Sequence, residues 1–360
     1  MFLFVLQCPT PHHTPLFDRL HAAWPGRVHV YYRFDREEQT RGWGDQRPRH
    51  PYTVLTNPSG RRALLRSLSA PTLEVVCLFG YRGWAHILSA LTARVRRIPL
   101  IVRCDSNVRA ELARPPLRRW LKRHYLRGLL GQPEIWAVGS ANAAYWRLLG
   151  FDRLQLVPFA LPELPRGAEQ AAALRVGWEL TDRFVFGYVG RLEELKGVTD
   201  LLAAFDLVRN RLPAGSVGLV LVGTGSLTAS VTAHVARRPA DCRFLGPVAH
   251  DRLGAVYAAA DVVVVPSRWE PWGLVVNEAL GLGTPVVASD EVAAADDLVA
   301  AGNGRRFPAG DVGGLAEAML AEYRLGARRL PRLVAADTAG TMARRLRHLV
   351  SEEAPADAPV

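Results

Sequence analysis

Short apolar runs recur along this chain, each followed by a stretch whose apolar residues return every three or four positions. Runs at residues 2–6, 27–32, 73–79, 99–104 and 134–138 predict buried strands, and the periodic stretches at 15–23, 61–68, 84–95, 115–130 and 141–149 predict helices. Residues 33–57 break the pattern. They are polar and rich in Arg, Gly and Pro, and predict an irregular surface excursion. A second break, LPELPRGAEQA at 161–171, reads as a linker. Strands then follow at 184–190, 217–222, 242–245, 262–265, 286–288 and 305–307, with helices at 197–211, 227–237, 250–260, 293–301, 312–323 and 338–350. One further helix opens at Gly273 and is ended by Gly281, Gly283 and Pro285. Strands alternating with helices at this spacing predict parallel sheets covered on both faces. The expectation is an α/β chain of two Rossmann-like doubly wound domains, residues 1–160 and 161–336, with a closing helix at 337–350 and a frayed tail.

The stretch VVVVPSRWEPWGLVVNEALGLGTPVVA, residues 262–288, organises the second domain. Strand, polar loop and a helix opening at glycine leave free N–H groups and a positive helix end at the top of a sheet, a ready place for phosphate. Glu270 lies before the helix and Glu278 within its early turns, with seven residues between them. Such carboxylates accept hydrogen bonds from sugar or ribose hydroxyls. Upstream, GRLEELKG supplies Arg191 and Lys196 after the first strand of this half, at the carboxyl end of a sheet where open α/β folds bind ligands. Two fixed cations beside a helix N-terminus neutralise a diphosphate without a metal. Gly223 and Gly225 follow the next strand. Thr228 stands where a dinucleotide fingerprint needs its third glycine, so that pattern is incomplete.

Composition and charge add four points. The 360 residues suffice for two domains, and 49% hydrophobic content suffices for their cores. Cys8, Cys77, Cys104 and Cys242 are scattered without C-x-x-C spacing, which favours reduced core thiols, a cytoplasmic setting and no metal cofactor. No apolar run is long enough for a membrane span, and the start reads as a core strand rather than a signal peptide. Of the net charge of +11, residues 1–160 carry 24 − 10 = +14 and residues 161–360 carry 21 − 24 = −3. A nucleic acid, an anionic membrane face or an anionic acceptor would each suit that excess. Its sharpest expression is the helix at 115–130, with Leu117, Trp120, Leu121, Tyr125 and Leu129 set against Arg118, Arg119, Lys122, Arg123 and Arg127. One reading is contact with a membrane surface or anionic acceptor. The other, adopted here for the apolar side, is a surface helix whose apolar stripe faces its own core. The basic side stays open.

These motifs carry a resemblance. EPWGLVVNEAL resembles the E-x7-E element of GT-B glycosyltransferases of the family 4 (GT4) kind, with Trp272 where Phe is usual. GRLEELKG followed by LLAAF at 201–205 resembles that family's G-R-L-x-x-x-K-G-x-x-x-L-L-x-A-F, and LGPV at 245–248 resembles its L-G-x-V loop. The likeness runs over residues 184–321. After Ser289 the glycines of the family's G-G-x-x-E are missing, and Asp297 stands nearest to its Glu. The resemblance implies a GT-B fold whose two domains face a central cleft, and transfer of a sugar from a UDP- or GDP-linked donor with anomeric configuration retained. It implies that Arg191 and Lys196 bind the diphosphate, that Glu270 holds sugar hydroxyls, and that the backbone at Gly273, Leu274 and Val275 binds phosphate and sugar. Glu278 would bind the ribose, and Gly190, Gly223, Gly225 and Val248 would line the nucleotide. His86, after the third apolar strand, is a candidate contact to the transferred sugar. His12, His13, Thr14 and Asp105 are candidates on the acceptor side. The implied acceptor is a glycan or lipid-linked glycan at the inner membrane face, in polysaccharide or glycoconjugate biosynthesis.

Other classes explain fewer residues. A glycosidase would use Glu270 and Glu278 as an acid and nucleophile pair but needs neither Arg191 nor Lys196. A nucleotide-sugar epimerase of the same fold would require no acceptor. A basic nucleic-acid-binding protein would explain the charge of the first half, yet no nucleic-acid-binding motif is present and no nucleic-acid partner is expected. An inactive relative would not need both glutamates, the arginine and the lysine together.

Overall fold

The computed structural model describes residues 1–35, 47–159, 164, 167–333 and 336–350. Two compact units divide the chain, Met1–Pro162 with Ala336–Val360, and Glu163–Ala335.

Seven parallel strands build unit 1: β1 (Phe2–Leu6), β2 (Val28–Tyr32), β3 (Tyr52–Val54), β4 (Val75–Phe79), β5 (Leu100–Arg103), β6 (Glu134–Ala137) and β7 (Leu154–Leu156), in the spatial order β3-β2-β1-β4-β5-β6-β7. The register places Phe4 beside Val30 on one side and Cys77 on the other. Because side chains alternate along a strand, Phe2, Phe4, Val28, Val30, Val75 and Cys77 feed one core while Leu3, Val5, Tyr31, Val76 and Leu78 feed another. Both faces of the sheet are therefore buried, which is why its strands read as unbroken apolar runs. The helices are α1 (Thr14–Ala23), α2 (Pro58–Ser69), α3 (Trp84–Val95), α4 (Val108–Leu112), α5 (Pro116–Leu130), α6 (Ser140–Leu148) and, from the far end of the chain, α14 (Thr338–Val350). Met342 and Leu346 of α14 enter the core of Phe2 and Phe4, and Arg345 forms a two-pronged pair with Glu134 at 3.0 and 2.6 Å.

Unit 2 repeats the plan. Strands β8 (Phe184–Val189), β9 (Val217–Val222), β10 (Cys242–Phe244), β11 (Val262–Val265), β12 (Val286–Ser289) and β13 (Gly304–Phe307) are parallel in the order β10-β9-β8-β11-β12-β13. Its helices are α7 (Ala168–Gly177), α8 (Val198–Asn210), α9 (Thr228–Ala236), α10 (Leu253–Ala259), α11 (Leu274–Gly281), α12 (Ala293–Leu298) and α13 (Val312–Leu325). Phe186, Leu219, Leu221 and Val264 pack with Leu201 and Phe205 of α8 and Met319 of α13. In both sheets the strand order reverses between the first and fourth strands, and such a switch point opens a crevice at the carboxyl ends.

Several expectations are corrected. The 33–57 excursion contains β3, and α2 starts at Pro58 with the Asn57 side chain accepting from the Gly60 amide at 2.7 Å. Part of that excursion, part of the 161–171 linker and the tail after 350 lie outside the described residues. The linker ends earlier than read, because α7 already begins at Ala168. Two short elements, β7 and α4, went unread; the Asn107 side chain caps α4, accepting from the Ala110 amide. On α5 the core-facing stripe is Leu126, Leu129 and Leu130, whereas Leu117, Trp120, Leu121 and Tyr125 are exposed. The stripe read as facing the core points outward in four of its five members. Among the described residues no helix is long and apolar enough to cross a membrane, and none of the four cysteines is in a disulfide.

Candidate functional site

The switch point of unit 2 lies between β8 and β11, so two loops define its crevice. After β8 the chain runs through Gly190, Arg191 and a short 3-10 turn, Glu194–Lys196, and enters α8 past Gly197. After β11 it runs through Pro266 to the N-cap of α11 at Gly273. Gly197 has φ +65°, and a Cβ there would stand 2.0 Å from the Pro266 carbonyl oxygen. Only glycine lets the two loops touch backbone to backbone. Arg268 adds a second tie, donating its amide to Leu195 O at 2.9 Å and its guanidinium to both oxygens of Asp200 at 2.8 and 2.7 Å.

Across this seam Lys196 Nζ donates to Glu270 Oε2 at 2.5 Å, and Ser267 Oγ lies 3.4 Å from the same oxygen. Both side chains of the ion pair keep some exposure, 14% and 19%, so a ligand can reach them. The ammonium has three protons, and one contact to Glu270 leaves two for a phosphate. Arg191 is exposed and turned to Glu193 Oε1 at 2.8 Å, while its backbone carbonyl accepts from Tyr188 Oη at 2.7 Å.

Gly273 opens α11 with φ +102°, and a Cβ would meet Val292 at 2.7 Å. Trp272 is buried, and its indole N–H donates to Asn277 Oδ1 at 2.7 Å, a tie from loop to helix that a phenylalanine would lack. Behind the loop, residues 290–297 act as a brace. Glu270 and Val292 form a parallel bridge, and the Ala294 amide donates to Trp272 O at 2.8 Å. Asp290 receives the Ala309 amide at 2.8 Å and Asp296 pairs with Arg306 at 3.0 Å. The segment that departs from the family's G-G-x-x-E thus fixes Glu270 through backbone contacts.

Glu278 takes its own partner. Tyr257 Oη of α10 donates to Glu278 Oε2 at 2.6 Å. Burial raises the Glu278 carboxyl above the usual carboxylate range, against the opposing pull of the Tyr257 hydrogen bond and the His250 charge. Burial likewise pushes the Tyr257 hydroxyl well up, reinforced by the Glu278 charge.

Three glycine loops meet at the ends of β8, β9 and β10. Gly190 N donates to Val222 O at 3.1 Å and Gly223 N to Gly246 O at 2.9 Å. Gly223 has φ +140°, and a Cβ would lie 1.8 Å from Gly190 O; at Gly225 it would lie 2.3 Å from Leu192 O. Thr228 replaces the missing third glycine with a hydroxyl turn, donating to Gly225 O at 2.7 Å. Val248 follows Gly246 in the same loop and is half-buried.

Arg191, Lys196, Glu270, Gly273, Leu274, Val275 and the glycine loops are thus brought together at one switch point, with Glu278 held on the second turn of α11. Unit 1 holds the remaining candidates. His86 is buried in the first turn of α3, its Nε2 3.3 Å from Phe79 O, and burial followed by the Arg33 charge lowers it to about 4. The rings of His12 and His13 lie 4.3 Å apart with their planes tilted by 59°, and burial, then the charges of His12 and Arg103, holds His13 well below its usual range. Thr14 starts α1 and is buried, and Asp105 is exposed. Motif reading missed Tyr257, Ser267, the Arg268–Asp200 pair and the Val292 brace. Each acts across the fold, and no local pattern marks it.

This is the GT-B architecture. Over 96% of its length the chain superposes on 94% of the HepE protein of Anabaena, solved in complex with UDP, at a TM-score of 0.69 and 18% identity. The same protein with UDP-glucose gives 0.68, and the lipopolysaccharide-biosynthesis glycosyltransferase WaaG, at 17% identity over 98% of this chain and 96% of that one, gives 0.61. Residues 183–324, within unit 2, match the family model of glycosyl transferases group 1. Over 132 residues the chain is 36% identical to a glycogen synthase of Mycobacterium tuberculosis, covering 37% of this chain and 32% of that one. It is 41% identical over 113 residues to a D-inositol 3-phosphate glycosyltransferase of Rhodococcus erythropolis, covering 29% and 26%. The chain spans about a third or less of the length of the curated relatives it matches.

Proposed function

We propose that this protein is a retaining glycosyltransferase of the GT4 kind that moves a hexose from a UDP- or GDP-sugar to a glycan or lipid-linked acceptor. The carrying observation is the Lys196–Glu270 pair at the β8–β11 switch point, beside the glycine-opened N-terminus of α11. That end presents free N–H groups to phosphate. Lys196 and Arg191 neutralise the diphosphate, so no metal is called for. When a diphosphate draws on Lys196, Glu270 turns to the sugar hydroxyls. Glu278, positioned by Tyr257, takes the ribose, and the loops at Gly190, Gly223, Gly225 and Val248 border the nucleotide. The bond from the anomeric carbon to the phosphate oxygen breaks through an oxocarbenium-like state. The leaving charge grows on the phosphate, where the cations and the helix end are aimed, and this is the protein's main contribution. The acceptor hydroxyl adds from the same face and its proton passes to the departing phosphate. Unit 1 takes the acceptor, with His12, His13, Thr14 and Asp105 as its contacts, and His86 meets the transferred sugar. The setting is cytoplasmic, at the inner face of a membrane, in polysaccharide or glycoconjugate synthesis.

A thermal-shift panel of UDP, GDP, ADP and NAD on the parent and on Lys196→Ala tests this reading. A ligand that binds the folded state raises the melting temperature by mass action. Selective stabilisation by UDP or GDP, lost in the variant, is expected. Stabilisation by NAD alone, or by no nucleotide, would overturn it.

A further inference from the structure

Helix α5 carries two apolar stripes on opposite sides. Leu126, Leu129 and Leu130 fill the core of unit 1. Leu117, Trp120, Leu121 and Tyr125, spaced at i, i+3, i+4 and i+8, point to water with 67%, 55%, 52% and 53% of their surface exposed. Nothing about the stability of unit 1 calls for the second stripe, since each of these side chains costs solvation where it stands. The charge around it is one-sided. From Leu112 to Pro133 the sequence holds Arg114, Arg118, Arg119, Lys122, Arg123 and Arg127 and not one acid. Lys122 is committed to Glu111 at 2.5 Å, and Arg114 lies 3.5 Å from the same carboxylate. Among the described residues Arg118 and Arg123 are exposed and have no carboxylate partner, so their charge faces outward beside the stripe, whereas Arg119 is half-buried on the side of Leu126. Trp120 lies against His124 with ring centroids 4.2 Å apart, and Leu112 at the end of α4 is a further exposed apolar side chain.

We infer that the outward face of α5 docks unit 1 on an anionic lipid surface. The apolar stripe enters the boundary between headgroups and acyl chains, Trp120 and Tyr125 sit at headgroup level, and Arg118 and Arg123 meet lipid phosphates along its flanks. Charge decides among occupants. A second copy of this face would set Arg118 and Arg123 against their own counterparts with no free carboxylate to pair them. A nucleic acid would leave the leucines and the tryptophan in water. An anionic bilayer satisfies both halves of the surface. The inference stands apart from the donor-site reading, since it uses no residue of unit 2.

Flotation of the full chain with large vesicles of phosphatidylcholine alone, and of phosphatidylcholine with phosphatidylglycerol in equal parts, tests it without any nucleotide. Binding to the anionic vesicles only is expected, falling as salt rises. Arg118→Gln with Arg123→Gln should weaken it roughly 30-fold, at about a kcal/mol for each basic residue near the surface. Trp120→Ser with Leu121→Ser should weaken it by about tenfold or more. Leu65→Ser, at an exposed leucine of α2 in the same unit, should leave it unchanged. All of these sites are exposed, so folding survives, and the melting curve of each variant verifies that. Equal binding to both vesicle types, or variants that float like the parent, would overturn the inference. So would a dimer dispersed by the serine pair, or capture of a 20-mer RNA through these residues with vesicles ignored.

Discussion

The two units share one strand order and one switch point, yet they place opposite chemistry there. In unit 2 the loops after β8 and β11 bring Lys196 and Glu270 into a partly exposed ion pair. In unit 1 the segments after β1 and β4 bring His13 and His86, both kept neutral by burial. The arginine that acts on His13, Arg103, is buried and spent on the carbonyls of Val157 and Pro158. Burial lowers its guanidinium to about 10 against the pull of Asp105 and Cys104. The lesson is that the doubly wound frame supplies a crevice, and only the loop residues decide what it binds. One crevice holds a partly exposed ion pair beside a helix N-terminus, while the other holds neutral imidazoles and aromatic rings.

The strongest way to break this contrast is Lys196→Ala. It should lower sugar transfer by about 10²–10³ in kcat, as expected for losing one preorganised donor to a leaving group. Steady-state kinetics with a saturating donor checks it. Gly223→Ala comes next. Its Cβ has no room beside Gly190 O and its φ is +140°, so unit 2 should lose about 3 kcal/mol and melt roughly 10 °C earlier in calorimetry.

Acid should separate the units in the opposite sense. The folded pKa of His86, about 4, lies below its usual value of 6.5, so its contribution to stability is full above 6.5 and is lost as pH falls toward 4. That loss is up to ~3 kcal/mol, and His13 and His50 act in the same direction. In unit 2 His234 does likewise, but Glu278, raised by burial, favours the folded state in acid and opposes it. Unit 1 should therefore unfold first between pH 6.5 and 4, and His86→Gln should flatten that slope in pH-dependent melting. The smallest effect is that of Tyr257→Phe. Losing the hydrogen bond that stabilises the Glu278 carboxylate should weaken nucleotide binding by ~1–2 kcal/mol, and should start the acid-side loss of binding at a higher pH than in the parent.

Much of unit 2 was legible because its chemistry sits in contiguous motifs at strand ends. GRLEELKG and E-x7-E each place a named side chain after a recognisable apolar run. What they do to each other was not legible, since Lys196 and Glu270 meet across 74 residues through strand order alone. The brace at Val292 hid for the same reason, its sequence having lost the glycines that would flag it. Strands β3 and β7, three residues each at the edges of the sheet, are too short to establish a period. Helix α5 misled for a different reason. Periodicity reveals an apolar stripe but not which side of a helix meets the core, and a helix with two stripes answers both ways.

The account turns on whether Lys196 binds the phosphates of a nucleotide. Calorimetric titration of UDP and of GDP into the full chain and into Lys196→Ala tests that most directly. The account predicts saturable binding of one of them to the parent and an affinity roughly tenfold to 100-fold lower in the variant, as befits one lost charged hydrogen bond. Equal affinity in the two proteins would contradict it, because the pair with Glu270 would then be a structural ion pair and the crevice at β8 and β11 would bind through other groups.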